Sequence, residues 1–242
     1  MIQPDANRAE VLRSLQSLCR NPNRELRLDS RSRVSTGIPA LDELLPGGGV
    51  EKGSLVEWLV PGDGSGAAVL ALQCMRPVVE YQGVWAVIDP AGEFYPPAAQ
   101  GWGVPLERLL WLRPESVADV AWTAEQCLRC PAVGITWFRA ESLPDRVLQR
   151  WKIAAEVGGG IGVLFRPARV ARSPSWADVR WLVRPQPAMT TATRRLRIEL
   201  LFCRGACHTG ASVELEVCNA TSDVRVVSAV AGATLEVRTV GA

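Results

Sequence analysis

The sequence predicts an α/β domain, and three observations carry that reading. Residues 54–59 form an apolar strand pattern that runs into the turn Pro61-Gly62-Asp63-Gly64-Ser65-Gly66 and then into residues 67–75, which have helical composition. Strand, glycine loop and helix in that order is how a phosphate-binding loop is built. Short apolar runs then recur at 83–89, 109–112, 132–138 and 161–165, each of strand length. Finally, 196–202, 212–217, 224–230 and 234–239 read as strands separated by turn residues such as Arg204-Gly205 and residues 219–223. These last strands are expected to extend the sheet at one edge as antiparallel hairpins.

The N-terminal part is organised differently. Val11, Leu12, Leu15, Leu18 and Cys19 recur at helical spacing over residues 8–20, which predicts one amphipathic helix. Asn21-Pro22-Asn23 breaks it, and the polar, arginine-rich stretch to residue 33 reads as a linker. The expected organisation is therefore a helix and linker over 1–33 and one domain over 34–242, with a C-terminal β extension from about residue 205. In a chain of 242 residues, 48% hydrophobic, there is enough apolar material for one substantial core. No run approaches the roughly 20 apolar residues of a membrane helix. The polar start, Met1-Ile2-Gln3-Pro4-Asp5, lacks a signal-peptide core, so a cytoplasmic protein without a membrane role is expected.

Several catalytic classes find little support. The seven cysteines (19, 74, 127, 130, 203, 207 and 218) include one C-x-x-C, Cys127 and Cys130, but the second cluster, Cys203 and Cys207-His208, lacks zinc-knuckle spacing. Buried thiols and no metal are expected. His208 is the only histidine, set between Cys207 and Thr209-Gly210 in an apparent turn, so a Ser/His/Asp or Cys/His arrangement would rest on one loop residue.

Charge is uneven along the chain although the net value is only +2. Lys52 and Lys152 are the two lysines. Nine arginines (166, 169, 172, 180, 184, 194, 195, 197 and 204) stand against Asp178 and Glu199 alone over the same stretch. Such a concentration suits phosphate contacts or an acidic partner surface, or else a solvated face of arginines.

One segment gives the glycine loop its specificity. Ser35-Thr36-Gly37 is followed by Leu41-Asp42, Gly47-Gly48-Gly49 and Gly53, then Val56-Glu57 within the strand before the loop. This arrangement resembles the RecA family, which enters its ATPase core through a similar segment. The resemblance continues through 83–89, ending in Asp89, then Pro96, Gly103-Val104 and 109–112, and covers roughly residues 34–205. Among RecA relatives the chain is most similar to ImuA-type proteins, accessory factors for error-prone DNA synthesis after damage. That match is carried by Leu41-Asp42, Leu45-Pro46 with the three glycines, Leu148-Gln149-Arg150, Ala154-Ala155-Glu156, Gly159-Gly160, Gly162-Val163-Leu164, Arg166-Pro167, Val179-Arg180-Trp181 and residues 197–201. The resemblance implies a RecA-like core with a mostly parallel central sheet flanked by helices.

The family's chemical positions are altered here. A working loop is G-x-x-x-x-G-K-[ST], whose lysine neutralises phosphates and whose hydroxyl holds Mg²⁺. Counted without gaps from Gly53, the lysine position is Gly66; slid by one, it is Ala67, with Ala68 at the hydroxyl position. No lysine lies between Lys52 and Lys152. The position of the water-activating glutamate after Asp89 is Ala91, with Glu93 two residues further on, and the strand pattern 132–138 has no acid to hold a metal, Glu141 and Asp145 falling beyond it. The resemblance thus implies a degenerate ATPase with no catalytic residue and no bound cofactor, keeping Gly62, Asp63, Gly64, Ser65 and Gly66 as a loop remnant.

The function it implies is a non-catalytic accessory protein of the DNA-damage response, docking on RecA or on mutagenic DNA polymerase subunits, without a small-molecule substrate. A stand-alone single-stranded-DNA-binding module and a residual ATPase are the alternatives. In RecA proteins a mobile loop after the strand matching 161–165 contacts single-stranded DNA. The corresponding segment here carries Arg166, Arg169, Arg172 and Trp176 as DNA- or partner-binding candidates. By the same resemblance the stripe Val11, Leu15 and Leu18 is a candidate for docking on a neighbouring protein, the alternative being packing on its own domain.

Overall fold

The computed structural model describes residues 4–19, 32–80, 83–205, 210–221 and 223–230. In chain order the elements are α1 (Pro4–Cys19), β1 (Arg33–Val34), α2 (Pro39–Asp42), β2 (Val50–Glu51), β3 (Leu55–Val60), α3 (Ala67–Glu80), β4 (Val84–Ile88), α4 (Pro96–Gly101), β5 (Leu109–Leu112), α5 (Val117–Arg129), β6 (Val133–Arg139), α6 (Asp145–Gly158), β7 (Ile161–Pro167), β8 (Val179–Gln186), β9 (Thr193–Cys203), β10 (Ser212–Cys218) and β11 (Val224–Val230).

Nine strands form one sheet in the order β11-β10-β9-β8-β3-β7-β6-β4-β5. From β8 to β5 all neighbours are parallel, and β9, β10 and β11 add as antiparallel neighbours beyond β8. The mixed sheet with flanking helices is the predicted fold class. The antiparallel addition begins with β9, a single long strand paired with both β8 and β10, where the sequence pattern places its first strand at 196–202. The strand expected at 234–239 lies outside the described residues.

Parallel strands are buried on both faces and read as continuous apolar runs. Here β3 and β4 are buried at every position. Alternation along the strands splits the interior into two cores. One joins Trp58, Trp85, Ile135 and Val163 to Leu70, Ala71 and Met75 of α3. The other joins Ala86, Phe138 and Leu164 to Leu128 of α5, Trp151 of α6 and Val11 and Leu15 of α1. Helix α5 starts on Ser116, whose Oγ accepts the Asp119 amide at 3.1 Å, an N-cap arrangement.

The Ser-Thr-Gly…Leu-Asp segment forms a structural knot at the domain's entry. Asp42 accepts the Thr36 amide at 2.8 Å and the Ser35 hydroxyl at 2.5 Å, while Leu41 is buried in the α3-side core. Gly49 passes so close to β1 that a Cβ there would sit 2.4 Å from the Val34 carbonyl oxygen, which accounts for its lack of a side chain.

Candidate functional site

The C-terminal ends of β3, β4, β6 and β7 converge on the glycine loop. Ligands of open α/β sheets bind outside this strand end. Gly66 adopts φ +80 and α3 begins at the next residue. The last loop glycine therefore directly precedes the helix, whose first two residues are Ala67 and Ala68. A Cβ on Gly66 would lie 3.4 Å from Leu196 of β9, so the antiparallel addition packs against the loop itself.

Beside the loop lies a cleft of about 630 Å³. Its walls are mostly apolar: Val69 and Leu72 of α3, Phe94 and Trp102 around α4, and Trp137 of β6. On β6, Ile135 faces the α3-side core and Phe138 the opposite one. Alternation thus places Trp137 and Arg139 on the loop's side. The fold thus sets an indole and a guanidinium in the space facing the loop. The Trp137 and Phe165 rings meet with centroids 4.5 Å apart and planes tilted by 46°.

The cleft's mouth is ionic. Arg139 Nη1 lies 2.6 Å from Asp63 Oδ1 and 3.9 Å from Glu93 Oε2. Asp89, at the end of β4, accepts the amides of Glu93 at 3.0 Å and Phe94 at 2.9 Å and the Trp111 indole at 3.1 Å. Its carboxylate is spent on shaping the turn that carries Ala91 and Glu93.

The arginine segment divides sharply. Arg166 is 5% exposed and donates to fully buried Glu57 of β3 at 2.8 Å. It cannot reach a phosphate strand or a partner surface, and its place among the exposed binding candidates is corrected accordingly. Arg180, opposite Glu57 in the β3–β8 register, donates to the same carboxylate. It also donates to the carbonyls of Val170, Ala171 and Ser173 at 3.1, 3.3 and 3.0 Å. Arg180 therefore fixes the loop after β7. Arg169 and Arg172 are exposed on that loop and line a second groove of about 410 Å³ with Arg184, beside Pro61. Arg169 pairs with Glu141 at 3.2 Å; Arg172 and Arg184 have no acidic partner among the described residues. Trp176 is 39% exposed.

Sequence reasoning missed Arg139 and counted Arg180 and Arg184 only among the nine arginines between 166 and 204. A signal for two of them exists. Charges inside apolar strands, such as Glu57 in 54–59 and Arg180 in 179–183, require counter-ions, and alternation from Ile135 aims Arg139 at the loop.

The docking stripe on α1 is turned inward. Val11 and Leu15 of α1, which packs on α5, are buried in the core that α5 and α6 share, and Arg8 holds Asp119 of α5 at 2.8 Å while lying over the Trp122 ring at 5.4 Å. These two side chains are corrected from a free surface to core packing; the Leu18 side chain lies outside the described residues, as do Cys207 and His208. The Asp119 carboxyl is held below its ordinary value, first by the Ser116 hydroxyl and then by Arg8. Burial raises the thiol pKa values of Cys74 and Cys127, and that of Cys203 to about 11, which leaves them poor thiolates. Among the described residues, no group of three or more His, Cys, Asp and Glu is arranged to hold a metal ion, and no helix is long and apolar enough to cross a membrane.

No protein-family model matches the chain. It is 29% identical over 196 residues to Protein ImuA of Caulobacter vibrioides, covering 71% of this chain and 79% of that protein. The chain is RecA-like and ImuA-like. The RecA component is local: Protein RecA of Chlorobaculum tepidum is 34% identical over 102 residues, 42% of this chain and 29% of RecA. Protein RecA of Bacillus velezensis is 36% identical over 104 residues, 43% of this chain and 30% of RecA. The ImuA-like match thus extends over most of the chain, whereas each RecA match spans under a third of RecA.

Proposed function

We propose that the chain is a non-catalytic, RecA-like accessory protein of the DNA-damage response, supporting error-prone translesion synthesis by docking on RecA or on a mutagenic polymerase assembly. The observation that carries the non-catalytic part is the chemistry around the glycine loop. Ala67 and Ala68 begin α3, Trp137 and Arg139 occupy the loop-facing end of β6, and the Asp89 carboxylate is committed to its own turn. Phosphoryl transfer needs a cation on the phosphates, a metal and a positioned water. These residues supply no lysine, no metal-binding hydroxyl and no metal-binding carboxylate. Similarity to ImuA over most of the chain supports the accessory role.

Two measurements test the reading. The purified chain is expected to show no ATP turnover above a blank, with or without single-stranded DNA; turnover that disappears on Glu93→Gln would make Glu93 the base and reinstate an ATPase. Capture of the tagged full chain from damaged cells is expected to recover RecA or polymerase subunits, and nuclease-sensitive recovery of bulk nucleic acid alone would favour a stand-alone binder.

That second reading has an observation behind it, the groove lined by Arg169, Arg172 and Arg184. Three guanidiniums on one groove suit a phosphate backbone, with binding that weakens steeply as salt rises. An acidic protein surface would show the same trend, so salt does not separate them. The separating experiment is single-stranded DNA binding by the isolated chain. Wild-type binding abolished by Arg169, Arg172 and Arg184 together changed to Ala supports direct contact, and absence of wild-type binding at low salt leaves the protein-docking role.

A further inference from the structure

We propose that the apolar cleft between α3 and α4 is a docking site for a basic peptide segment of a partner protein, one that inserts a leucine or aromatic side chain into the cleft and sets lysine or arginine at its acidic mouth. This assignment rests on the docking role and supplies the partner's chemistry. At about 630 Å³, the cleft falls within the roughly 300–1,000 Å³ of built ligand sites. Leu72, Phe94, Trp102 and Trp137 wall it, and Tyr95 stands in its lining 67% exposed. A contiguous apolar surface left open to water, rimmed by polar groups, marks a place where another molecule binds.

The charge at the mouth decides the partner. Four carboxylates line the cleft, those of Asp63, Asp89, Glu93 and Glu141, against one guanidinium, that of Arg139. Arg139 meets Asp63 at 2.6 Å, and Arg169, outside the lining, meets Glu141 at 3.2 Å. Glu93 is 69% exposed and keeps only a 3.9 Å contact with Arg139, and Asp89 holds backbone amides. Two carboxylates therefore remain in excess over the guanidiniums that meet this set. Arg113 lies over the Trp111 ring at 5.6 Å, outside the lining. A cationic segment is drawn to such a mouth, and a polyphosphate is repelled by it. The aromatic walls add to the same preference, since the faces of Trp and Tyr rings attract Lys and Arg. The groove of Arg169, Arg172 and Arg184 carries the opposite charge, so the two openings select different ligands.

The test is a selection of random displayed peptides on the isolated full chain, with a counter-selection on Ala98→Trp, which fills the cleft from an exposed position. Enriched sequences are expected to join Leu, Phe or Trp to Lys or Arg. The best of them, made as a synthetic peptide, is expected to bind the Ala98→Trp and Glu93→Arg chains at least about ten-fold more weakly than wild type and the Arg172→Ala chain equally. The same peptide with Glu in place of its Lys and Arg is expected to bind Glu93→Arg more tightly than wild type, an exchange that misfolding cannot imitate. No enrichment beyond Ala98→Trp, enriched sequences rich in Asp and Glu, or displacement of the peptide by adenosine diphosphate would each overturn the proposal. Because the isolated chain is used, that failure is separate from a failure to recover RecA or polymerase subunits from cells.

Discussion

Two carboxylate–arginine clusters flank the C-terminal end of β3. Glu57 with Arg166 and Arg180 is sealed inside the sheet, and Asp63 with Arg139 stands at an open mouth. The chemistry is the same and the energetics differ by burial. Breaking a sealed pair strands a charge in the interior, while opening an exposed one hands both charges back to water. The sealed cluster belongs to the architecture, and the exposed one is free to exchange partners.

The comparison can be broken most directly at Glu57. Glu57→Ala leaves two buried guanidiniums with no counter-ion and is expected to cost about 3–5 kcal/mol in denaturant unfolding. A loss near 1 kcal/mol would mean that water reaches the cluster and that the contrast fails. Next is the anchoring of α1. Leu15→Ala is expected to cost about 2–3 kcal/mol, and a negligible effect would return the stripe to a docking role.

The Arg8–Asp119 contact adds a pH dependence to that anchoring. Because the native Asp119 carboxyl lies below its ordinary 3.8, its contribution is present above that value and lost as pH falls through the native one. Hydrogen exchange in α1 should therefore accelerate as pH is lowered through this acid range relative to α3, and Arg8→Ala should reduce the difference. The smallest effect is expected at the mouth. Asp63→Ala should change stability by less than about 1 kcal/mol, and a larger loss would make the exposed cluster structural too.

Much of the fold was legible because it rests on local patterns. The strand, glycine loop and helix at 54–75, the apolar runs of β4 to β7 and the alternating strands at the C-terminal edge each signal themselves within a few residues. The site was legible only in part, since its decisive contacts join distant positions. Arg166 looked like one of a series with Arg169 and Arg172, but it finds Glu57 across 109 residues of sequence, and only the β3–β7 pairing brings the two together. The inward turn of Val11 and Leu15 depends in the same way on where α5 lies. The absence of an acid from residues 132–138 was readable from residue identities; that Trp137 and Arg139 face the loop required knowing which side of β6 does so.

Arg180 has a consequence for how anything would bind next to it. By gripping three carbonyls of the loop that carries Arg169 and Arg172, it leaves that ledge preorganised before a partner arrives. A ligand meeting such a surface has little backbone ordering entropy to overcome. Association should then follow one concentration-dependent phase set by encounter and electrostatic steering, and the heat-capacity change should match the area covered, with no added signature of coupled folding.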